Sequence, residues 1–194
     1  MEESMTRSYR LSKKLSQLFD LESNIDAVLS VSMHHLNQFM DSERSSVFLF
    51  QHLNQQLTVF SSLDLKKNEI QIPKSCGVAG WVFVNRQPAV VKNAYEDSRF
   101  YKKVDDMTGF HTRNLICTPL LDYKDHCLGT LQSLNKKRGD FTTDDLELLK
   151  LAARMVAVAI KTSKHYTEIL VASKARERFI NQITDNLSKI HQKL

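Results

Sequence analysis

The residues with the clearest chemical potential lie where a glycine precedes a short apolar segment. Gly77 opens the run GVAGWVF, residues 77–83, which favours a short helix that begins at this glycine. Because the N-terminus of a helix presents free backbone N–H groups, Val78 and Ala79 are candidates for binding an anion such as a phosphate. Cys76 precedes the same helix start, where a thiolate can be stabilised, although a structural cysteine is the simpler interpretation.

A long polar loop supplies further hydrogen-bonding groups. It spans residues 93–113 and contains Asp105, Thr108 and Thr112, and we expect one or two short helical turns within it. Loops of this length inside a compact domain are uncommon and are usually functional. A polar loop that lies over a sheet can act as the lid of a small-ligand pocket. The pattern therefore indicates a small-molecule site without naming the ligand.

The sequence contains no recognisable catalytic or metal-binding signature. It has no glycine-rich phosphate loop, no Gly-x-Ser-x-Gly and no His-Glu-x-x-His. On a helix the adjacent His34 and His35 would point about 100° apart and could not share a metal. The pair His126-Cys127 has no second ligand pair at metal spacing. We therefore predict a protein that is not an enzyme, with no catalytic residue, no metal and no cofactor beyond a bound ligand.

The composition is typical of a globular protein that folds without disulfides. The chain has 194 residues, of which 42% are apolar and 25% charged. Its three cysteines are too few and too scattered for a disulfide framework. No apolar run approaches the roughly 18 residues of a membrane span, and the N-terminus does not resemble a signal peptide. We therefore expect a cytoplasmic location and no membrane partner.

The positive charge is concentrated at the two ends of the chain. The formal net charge is +5, and residues 161–194 alone carry seven Lys or Arg against three Asp or Glu. The central body is close to neutral, whereas a nucleic-acid-binding domain concentrates positive charge on its body. The distribution therefore predicts no nucleic-acid partner.

Hydrophobic patterning predicts a sheet that lies between helical segments. Leu11, Leu15 and Leu18 recur at helical spacing within residues 4–19, and a second amphipathic helix is predicted at 25–40. Short β-prone runs predict six strands, at residues 46–50, 57–60, 69–72, 89–91, 114–121 and 127–135.

The final helix carries a heptad pattern. It is predicted to begin after Thr142, an N-cap residue, and mostly apolar residues recur at alternating spacings of 4 and 3 from Leu148 to Leu194, with Ser173 and Arg176 weakening the middle. A frayed surface helix is one interpretation, but a parallel coiled coil with a second copy of the chain fits the pattern better. We therefore predict a parallel homodimer, and the leucines of helix 4–19 could join its seam.

Ordered motifs along the chain resemble the GAF family. Residues 77–82 (GVAGWV) resemble the Gly-x-Ala-Gly helix start of GAF domains. Residues 97–100 (DSRF) and 104–117 (VDDMTGFHTRNLIC) are similar to the cyclic-nucleotide-binding GAF domains of vertebrate phosphodiesterases and cyanobacterial adenylyl cyclases. The resemblance covers about residues 21–161.

A second signature of that subgroup lies at the end of the predicted sheet. Residues 129–136 (GTLQSLNK), followed by Phe141 and Asp145, resemble its Asn-Lys…Phe-x-x-x-Asp-Glu signature. The sequence departs from the signature at the last position, where Leu146 replaces the final Glu and Glu147 follows one place later.

The resemblance implies a fold and a division of the chain. The fold is α+β, with a central antiparallel sheet of about six strands, helices 25–40 and 142–160 on one face and a ligand lid on the other. The chain would comprise an N-terminal dimerisation helix (1–20), a GAF domain (21–161) and a C-terminal signalling coiled coil (162–194).

The resemblance also implies roles for individual residues. A helix start holds the cyclic phosphate, two strand positions reach the base, and a lid covers the ligand. The implied ligand contacts are Ser46, Val78, Ala79, Asp105, Thr108, Thr112 and Gln132. A structural clasp would be formed by Asn135, Lys136 and Asp145, and the ion pair between Lys136 and Asp145 would join the last strand to the final helix.

These expectations favour a regulatory module that binds a cyclic nucleotide and signals through its C-terminal helix to an unidentified output domain. cAMP is favoured over cGMP because the amide of Gln132 offers a donor and an acceptor together, as adenine requires. A GAF domain that binds no ligand and only dimerises is the alternative. GAF-fold reductases of free methionine sulfoxide form a third class, but they need a cluster of cysteines that this lid lacks.

Overall fold

The computed structural model describes residues 2–21, 24–62 and 70–163. The chain divides into two compact units, residues 1–159 and 160–194. Only residues 160–163 of the second unit are described. The part of the predicted heptad seam from Tyr166 to Leu194 therefore lies outside the described residues.

The first unit combines helices with a single sheet. Its helices are α1 (Glu2–Leu21), α2 (Ile25–Met40), α3 (Gly77–Asn85), α4 (Lys103–Thr108) and residues 143–159 of α5, a helix that is described as far as residue 163. Its strands are β1 (Ser42–Gln51), β2 (Gln56–Ser62), β3 (Gln71–Pro73), β4 (Ala89–Val91), β5 (Leu115–Leu121) and β6 (Cys127–Lys136), with a 3₁₀ turn at Ala94–Glu96. None of the described helices is long and apolar enough to cross a membrane.

The six strands form one antiparallel sheet in the order β3-β2-β1-β6-β5-β4. This result confirms the predicted fold class. The two ten-residue strands, β1 and β6, pair at its centre, from Ser42 opposite Lys136 to Leu49 opposite Gly129. The order places the first strand in the chain beside the last, so residues far apart in the sequence become neighbours.

The two faces of the sheet pack against different helices. On one face Phe48 and Leu134 join the apolar side chains of α3, among them Val82. Because neighbouring residues of a strand point to opposite faces, the buried Val47 and Leu131 lie on the other face. Helix α2 packs against β1, β2 and β6 there. Burial of both faces explains why consecutive residues of β1, such as Val47, Phe48 and Leu49, are apolar.

Two of the α1 leucines lie in the core of the first unit. Leu11 and Leu15 are fully buried within the chain, and α1 packs against α2. Leu18, the third leucine of the stripe, is half-buried, and the dimerisation role of residues 1–20 stays a prediction. The apolar spacing predicted the helix but not the surface against which it packs.

The start of α3 depends on two glycines. Gly77 has a φ of +74°, which L side chains rarely adopt. A Cβ built on Gly80 would lie 2.8 Å from the carbonyl oxygen of Lys74 and 2.9 Å from the carbonyl carbon of Ser75. The turn after β3 therefore packs directly on the first turn of α3 and fixes its position on the sheet.

Gly80→Ala is expected to lower the free energy of unfolding by roughly 1–3 kcal/mol, because the new methyl group meets backbone atoms that cannot move aside. This loss should outweigh the gain of about 1 kcal/mol in helix propensity. Urea titration measures the change, with Val84→Ala, an exposed position on the same helix, as the control. Equal midpoints for the two variants would contradict the close approach of this turn.

Candidate functional site

A cleft lies between the sheet, the first turn of α3 and the segment around α4. Its volume is about 600 Å³, including the space that opens to solvent. The structure brings together all the residues that the sequence suggested as ligand contacts. Ser46, Val78, Ala79, Asp105, Thr108, Thr112 and Gln132 line this one cleft.

The first turn of α3 forms one wall of the cleft. The first hydrogen bond along this helix runs from the backbone N–H of Gly80 to the carbonyl oxygen of Cys76, at 3.1 Å. The N–H groups of Val78 and Ala79 precede that bond, so their partners do not come from the helix itself. Cys76 is the N-cap residue, and its side chain makes no capping hydrogen bond. This wall therefore suits an anion or another strong acceptor.

The floor of the cleft carries two polar side chains from the central strands. Ser46 on β1 is directly opposite Gln132 on β6. Ser46 is buried, whereas Gln132 is half-buried. Among the described residues no group hydrogen-bonds the side-chain amide of Gln132. Its donor and acceptor are therefore available to a ligand.

Asp105 holds the lid together instead of presenting a free carboxylate. Its oxygens accept hydrogen bonds from the backbone N–H of Thr112 at 2.6 Å, the hydroxyl of Thr112 at 2.7 Å and the hydroxyl of Tyr95 at 3.1 Å. Partial desolvation and the bond to Asp105 raise the pKa of Tyr95, which keeps this phenol protonated as a donor. The Thr112 hydroxyl still has lone pairs that can accept from a ligand.

Thr108 ends helix α4. Its hydroxyl donates to the carbonyl oxygen of Val104 at 2.9 Å and accepts from the backbone N–H of Phe110 at 3.3 Å. Gly109, with a φ of +67°, reverses the chain after it. Thr108 therefore shapes the lid by turning the chain toward Phe110.

The sequence did not point to two further groups that line the cleft, Arg44 and Phe110. The guanidinium carbon of Arg44 lies 4.0 Å from the ring centre of Phe110, and both residues line the cleft. Arg44 precedes Ser46 by two positions, so the alternation of a strand would have placed it on the same face. Its stacking on the lid was not predictable, because Phe110 lies far along the chain. Arg44 adds positive charge to the cleft.

The cysteines do not form a reactive group in this cleft. All three are free, and none of them lines the cleft. Burial raises the pKa of Cys117 to about 12, so its thiol is protonated at neutral pH. Burial also raises the pKa of Cys127. Within residues 2–21, 24–62 and 70–163 no group of three or more side chains could hold a metal ion.

The predicted ion pair lies at the start of α5. Lys136 Nζ is 2.9 Å from the Asp145 carboxylate and also donates to the carbonyl oxygen of Met40 at 2.7 Å. The carboxylate accepts from the backbone N–H of Thr142 at 2.9 Å, and the Thr142 hydroxyl accepts from the Asp145 N–H at 3.2 Å. This reciprocal pattern is a capping box. Arg7 on α1 provides a further donor, at 2.8 Å, which sequence spacing could not reveal.

Asn135 belongs to a neighbouring network and does not touch Asp145. Its Oδ1 accepts from the backbone N–H of Arg113 at 2.7 Å, and its Nδ2 donates to the carbonyl oxygen of His111 and to Glu43, each at 2.8 Å. Arg113 completes the network with an ion pair to Glu43 at 2.8 Å. Asn135 thus attaches the lid segment to the central strands, while the next residue attaches the same strand end to α5.

The comparisons with known proteins agree with this architecture. The family described as "GAF domain" matches residues 24–160. A probable 3',5'-cyclic phosphodiesterase, pde-5, of Caenorhabditis elegans is 30% identical over 75% of this chain and 22% of its own length. The dual 3',5'-cyclic-AMP and -GMP phosphodiesterase 11A of Takifugu rubripes is 25% identical over 76% of this chain and 18% of its own length. The chain therefore spans about a fifth of the length of these curated relatives.

Solved structures share the fold at low sequence identity. The GAF domain of an Acinetobacter phosphoenolpyruvate-protein phosphotransferase superposes with a TM-score of 0.71 at 16% identity, covering 83% of this chain and 97% of that one. The free methionine-R-sulfoxide reductase of Neisseria meningitidis, solved with its substrate, has a TM-score of 0.69 at 16% identity and covers 82% and 91%. At this level of identity the likeness shows the fold alone.

Removal of either partner of the Lys136–Asp145 ion pair is expected to lower the free energy of unfolding by about 3 kcal/mol, because the other charge remains buried without it. A double-mutant cycle with Lys136→Ala and Asp145→Ala, followed by urea titration, should show a coupling of at least about 1 kcal/mol. Lys150→Ala removes the exposed pair with Glu147 and should cost less than about 0.5 kcal/mol. Additive single effects would contradict the clasp.

The same carboxylate predicts a pH dependence. Burial alone would raise the pKa of Asp145, but the bonds from Thr142, Lys136 and Arg7 outweigh it and hold the pKa below its usual range. Its contribution to stability is complete above the unfolded pKa of about 3.9 and is lost as pH falls through the lower folded pKa. Asp145→Asn should therefore lower stability at pH 7 and flatten the acid limb of a stability–pH profile. If the stability–pH profiles of the Asp145→Asn variant and the unchanged chain run parallel in the acid range, Asp145 is not the group that causes this pH dependence.

Proposed function

The chain belongs to the GAF family, and from that premise we propose that it is a cytoplasmic regulatory module that binds a cyclic nucleotide, preferably cAMP, and signals through a dimeric C-terminal helix. The observation that carries the proposal is one cleft in which a helix N-terminus faces hydrogen-bonding groups of the sheet and the lid. The proposed action is binding without chemical conversion of the ligand.

The electrostatics of the cleft favour an anionic ligand. The N–H groups of Val78 and Ala79 lie at the positive end of the α3 dipole, where a cyclic phosphate would find donors. Arg44 contributes a second positive group. The negative charge of Asp105 is compensated by three donors from its own chain, so it opposes an anion less than a free carboxylate would.

The shape and polarity of the remaining wall suit a nucleoside. Phe48, Phe100 and Phe110 provide apolar surface, while Ser46 and Gln132 provide hydrogen bonds on the floor. A planar base with polar edges needs this combination of apolar contact and directed polar groups. The Gln132 amide matches the N6 donor and the ring-nitrogen acceptor of adenine.

The relatives add support of a limited kind. The two matching curated proteins are named as cyclic-nucleotide phosphodiesterases, and this chain corresponds to a minor part of each. Their catalytic activity is therefore not transferred to it. What their similarity supports is a regulatory role in cyclic-nucleotide signalling.

The signal is proposed to leave through α5. This helix begins at the Lys136–Asp145 ion pair and contains the first positions of the heptad seam. Of those positions, Leu148 and Ala152 are buried, whereas Thr162 is exposed. A seam that begins on this helix is suited to pairing with a second copy, and the partner or output domain that reads it is not identified.

Calorimetric titration of the full chain with cAMP and cGMP tests the ligand. We expect cAMP to bind more tightly by roughly 1–3 kcal/mol, about 5- to 150-fold in affinity, if Gln132 makes one good bidentate pair. Gln132→Glu should shift the preference toward cGMP, since a carboxylate accepts from the two adjacent donors of guanine.

Asn54→Asp is the matched control, because it makes a similar change on the exposed hairpin between β1 and β2. It should leave the preference unchanged. If cAMP and cGMP bind with equal affinity, and Gln132→Glu leaves both affinities equal, then Gln132 does not read the base. No binding of either nucleotide would favour a GAF module that only dimerises.

The dimer is tested by light scattering at tens of micromolar. The unchanged chain should have the mass of a dimer. The double variant Ile183→Asp with Leu187→Asp should be monomeric, because two carboxylates would lie in the apolar seam. Its far-ultraviolet circular dichroism spectrum should still be that of a folded protein. Ser188→Asp adds a carboxylate off the seam and should remain dimeric. A monomeric mass for the unchanged chain would refute the proposal.

A further inference from the structure

Asp145 receives a contact from the opposite end of the chain. Arg7 Nη2 on α1 donates to Asp145 Oδ1 at 2.8 Å, across 138 positions of sequence. The side chain of Arg7 retains 30% of its exposure, whereas that of Asp145 retains 1%. Arg7 therefore covers the solvent side of a buried carboxylate.

The same guanidinium also binds the end of α2. Arg7 Nε donates to the carbonyl oxygen of Phe39 at 2.7 Å, and Nη2 donates to the same oxygen. The last carbonyls of a helix carry partial negative charge, which a cation stabilises. Because the guanidinium is a planar fork, it fixes the positions of Phe39 and Asp145 relative to each other.

This ion pair differs from the other attachments of α1. Leu11 and Leu15 attach the helix through apolar burial, which is not directional. The bonds of Arg7 are directional and end on a group that already caps α5 and holds Lys136. A movement of α1 must therefore either break these bonds or move the start of α5.

A short path links Asp145 to the lid. Lys136 is the covalent neighbour of Asn135, whose side chain binds the backbone at His111 and Arg113. Thr112, between those two residues, is bound to Asp105. Each step is a hydrogen bond or a peptide bond, so the path runs from α1 to the lid without a gap.

We propose that Arg7 is a positioning residue that couples the N-terminal helix to the cleft and to the start of α5, so that the docking of α1 regulates both ligand retention and the output helix. Its effect on ligand retention rests on the proposed cyclic-nucleotide function. Its effect on α5 does not.

The experiment compares three variants of the full chain. Arg7→Ala removes the fork, Arg7→Lys keeps the charge but not the fork, and Arg10→Ala removes an exposed arginine of the same helix. Hydrogen–deuterium exchange follows the amides at the start of α5 and in residues 110–114, and stopped flow follows the release of a fluorescent cAMP analogue.

We expect Arg7→Ala to speed exchange at both segments and to speed nucleotide release by about fivefold or more, a typical size for coupling between sites. Arg7→Lys should restore part of both effects, and Arg10→Ala should behave as the unchanged chain. In the Asp145→Asn background Arg7→Ala should have a much smaller effect, because the charged partner is already absent.

Several results would overturn the proposal. Faster exchange confined to α1, with α5 and residues 110–114 unchanged, would mean that Arg7 only holds its own helix. Equal effects of Arg7→Ala and Arg10→Ala would mean that the charge of α1 acts without a specific contact. If Arg7→Ala fails to fold, Arg7→Gln replaces it, and full protection of α5 in that variant refutes the coupling.

The two proposals fail in different ways. If no variant binds the nucleotide but Arg7→Ala still loosens α5 and residues 110–114, the proposed ligand is wrong and the coupling stands. If the nucleotide binds and its release is the same in all variants, the regulation by α1 is wrong and the ligand stands.

Discussion

The carboxylate of Asp145 is the constraint on which the arrangement of the helices depends. A charge that is 1% exposed needs compensation, since an unpaired buried ion is strongly unfavourable. Here the donors come from α1, from the end of β6 and from the residue that caps α5. The two cations also bind the last carbonyls of α2. Two helix ends, a side chain of α1 and a strand end thus share one electrostatic centre, so none can move without disturbing the rest.

The pairing of β1 with β6 builds both the floor of the cleft and the strand end that binds Asp145. Because β1 lies beside β6, Ser46 faces Gln132 in the middle of the sheet, and Ser42 faces Lys136 at its end. The ligand floor and the ion pair are therefore parts of one strand pair, a few residues apart. A change that alters the register of β6 would reach both, since a slip of one residue would reverse its side chains.

Local pattern predicted most of the elements, and resemblance predicted seven of the residues that line the cleft. Alternation and glycine placement identified the strands and the start of α3, because these signals arise from nearest neighbours in sequence. The partners of Arg7 and Asn135 were not predictable, since they depend on contacts between residues that are distant in the chain. For another reason, the sequence did not reveal that Thr112 and Tyr95 donate hydrogen bonds to the carboxylate of Asp105. A motif identifies a carboxylate but not the donors that satisfy it.

The hydrogen bonds that Asp105 accepts within the lid influence how the lid can respond to a ligand. Its bonds to Thr112 and Tyr95 join three positions of the same loop, so the loop is held in shape by its own contacts. A preformed lid loses less conformational entropy when a ligand binds than a disordered loop would. Its internal bonds also resist local bending, so we expect it to move as one piece. The contacts that such a piece can change are those to the body, among them the bonds of Asn135, the ion pair of Arg113 with Glu43 and the Arg44–Phe110 stack. The first of these adjoins the residue that binds Asp145, so displacement of a rigid lid would be transmitted to α5, whereas bending of a soft one would be absorbed before it reached the helix.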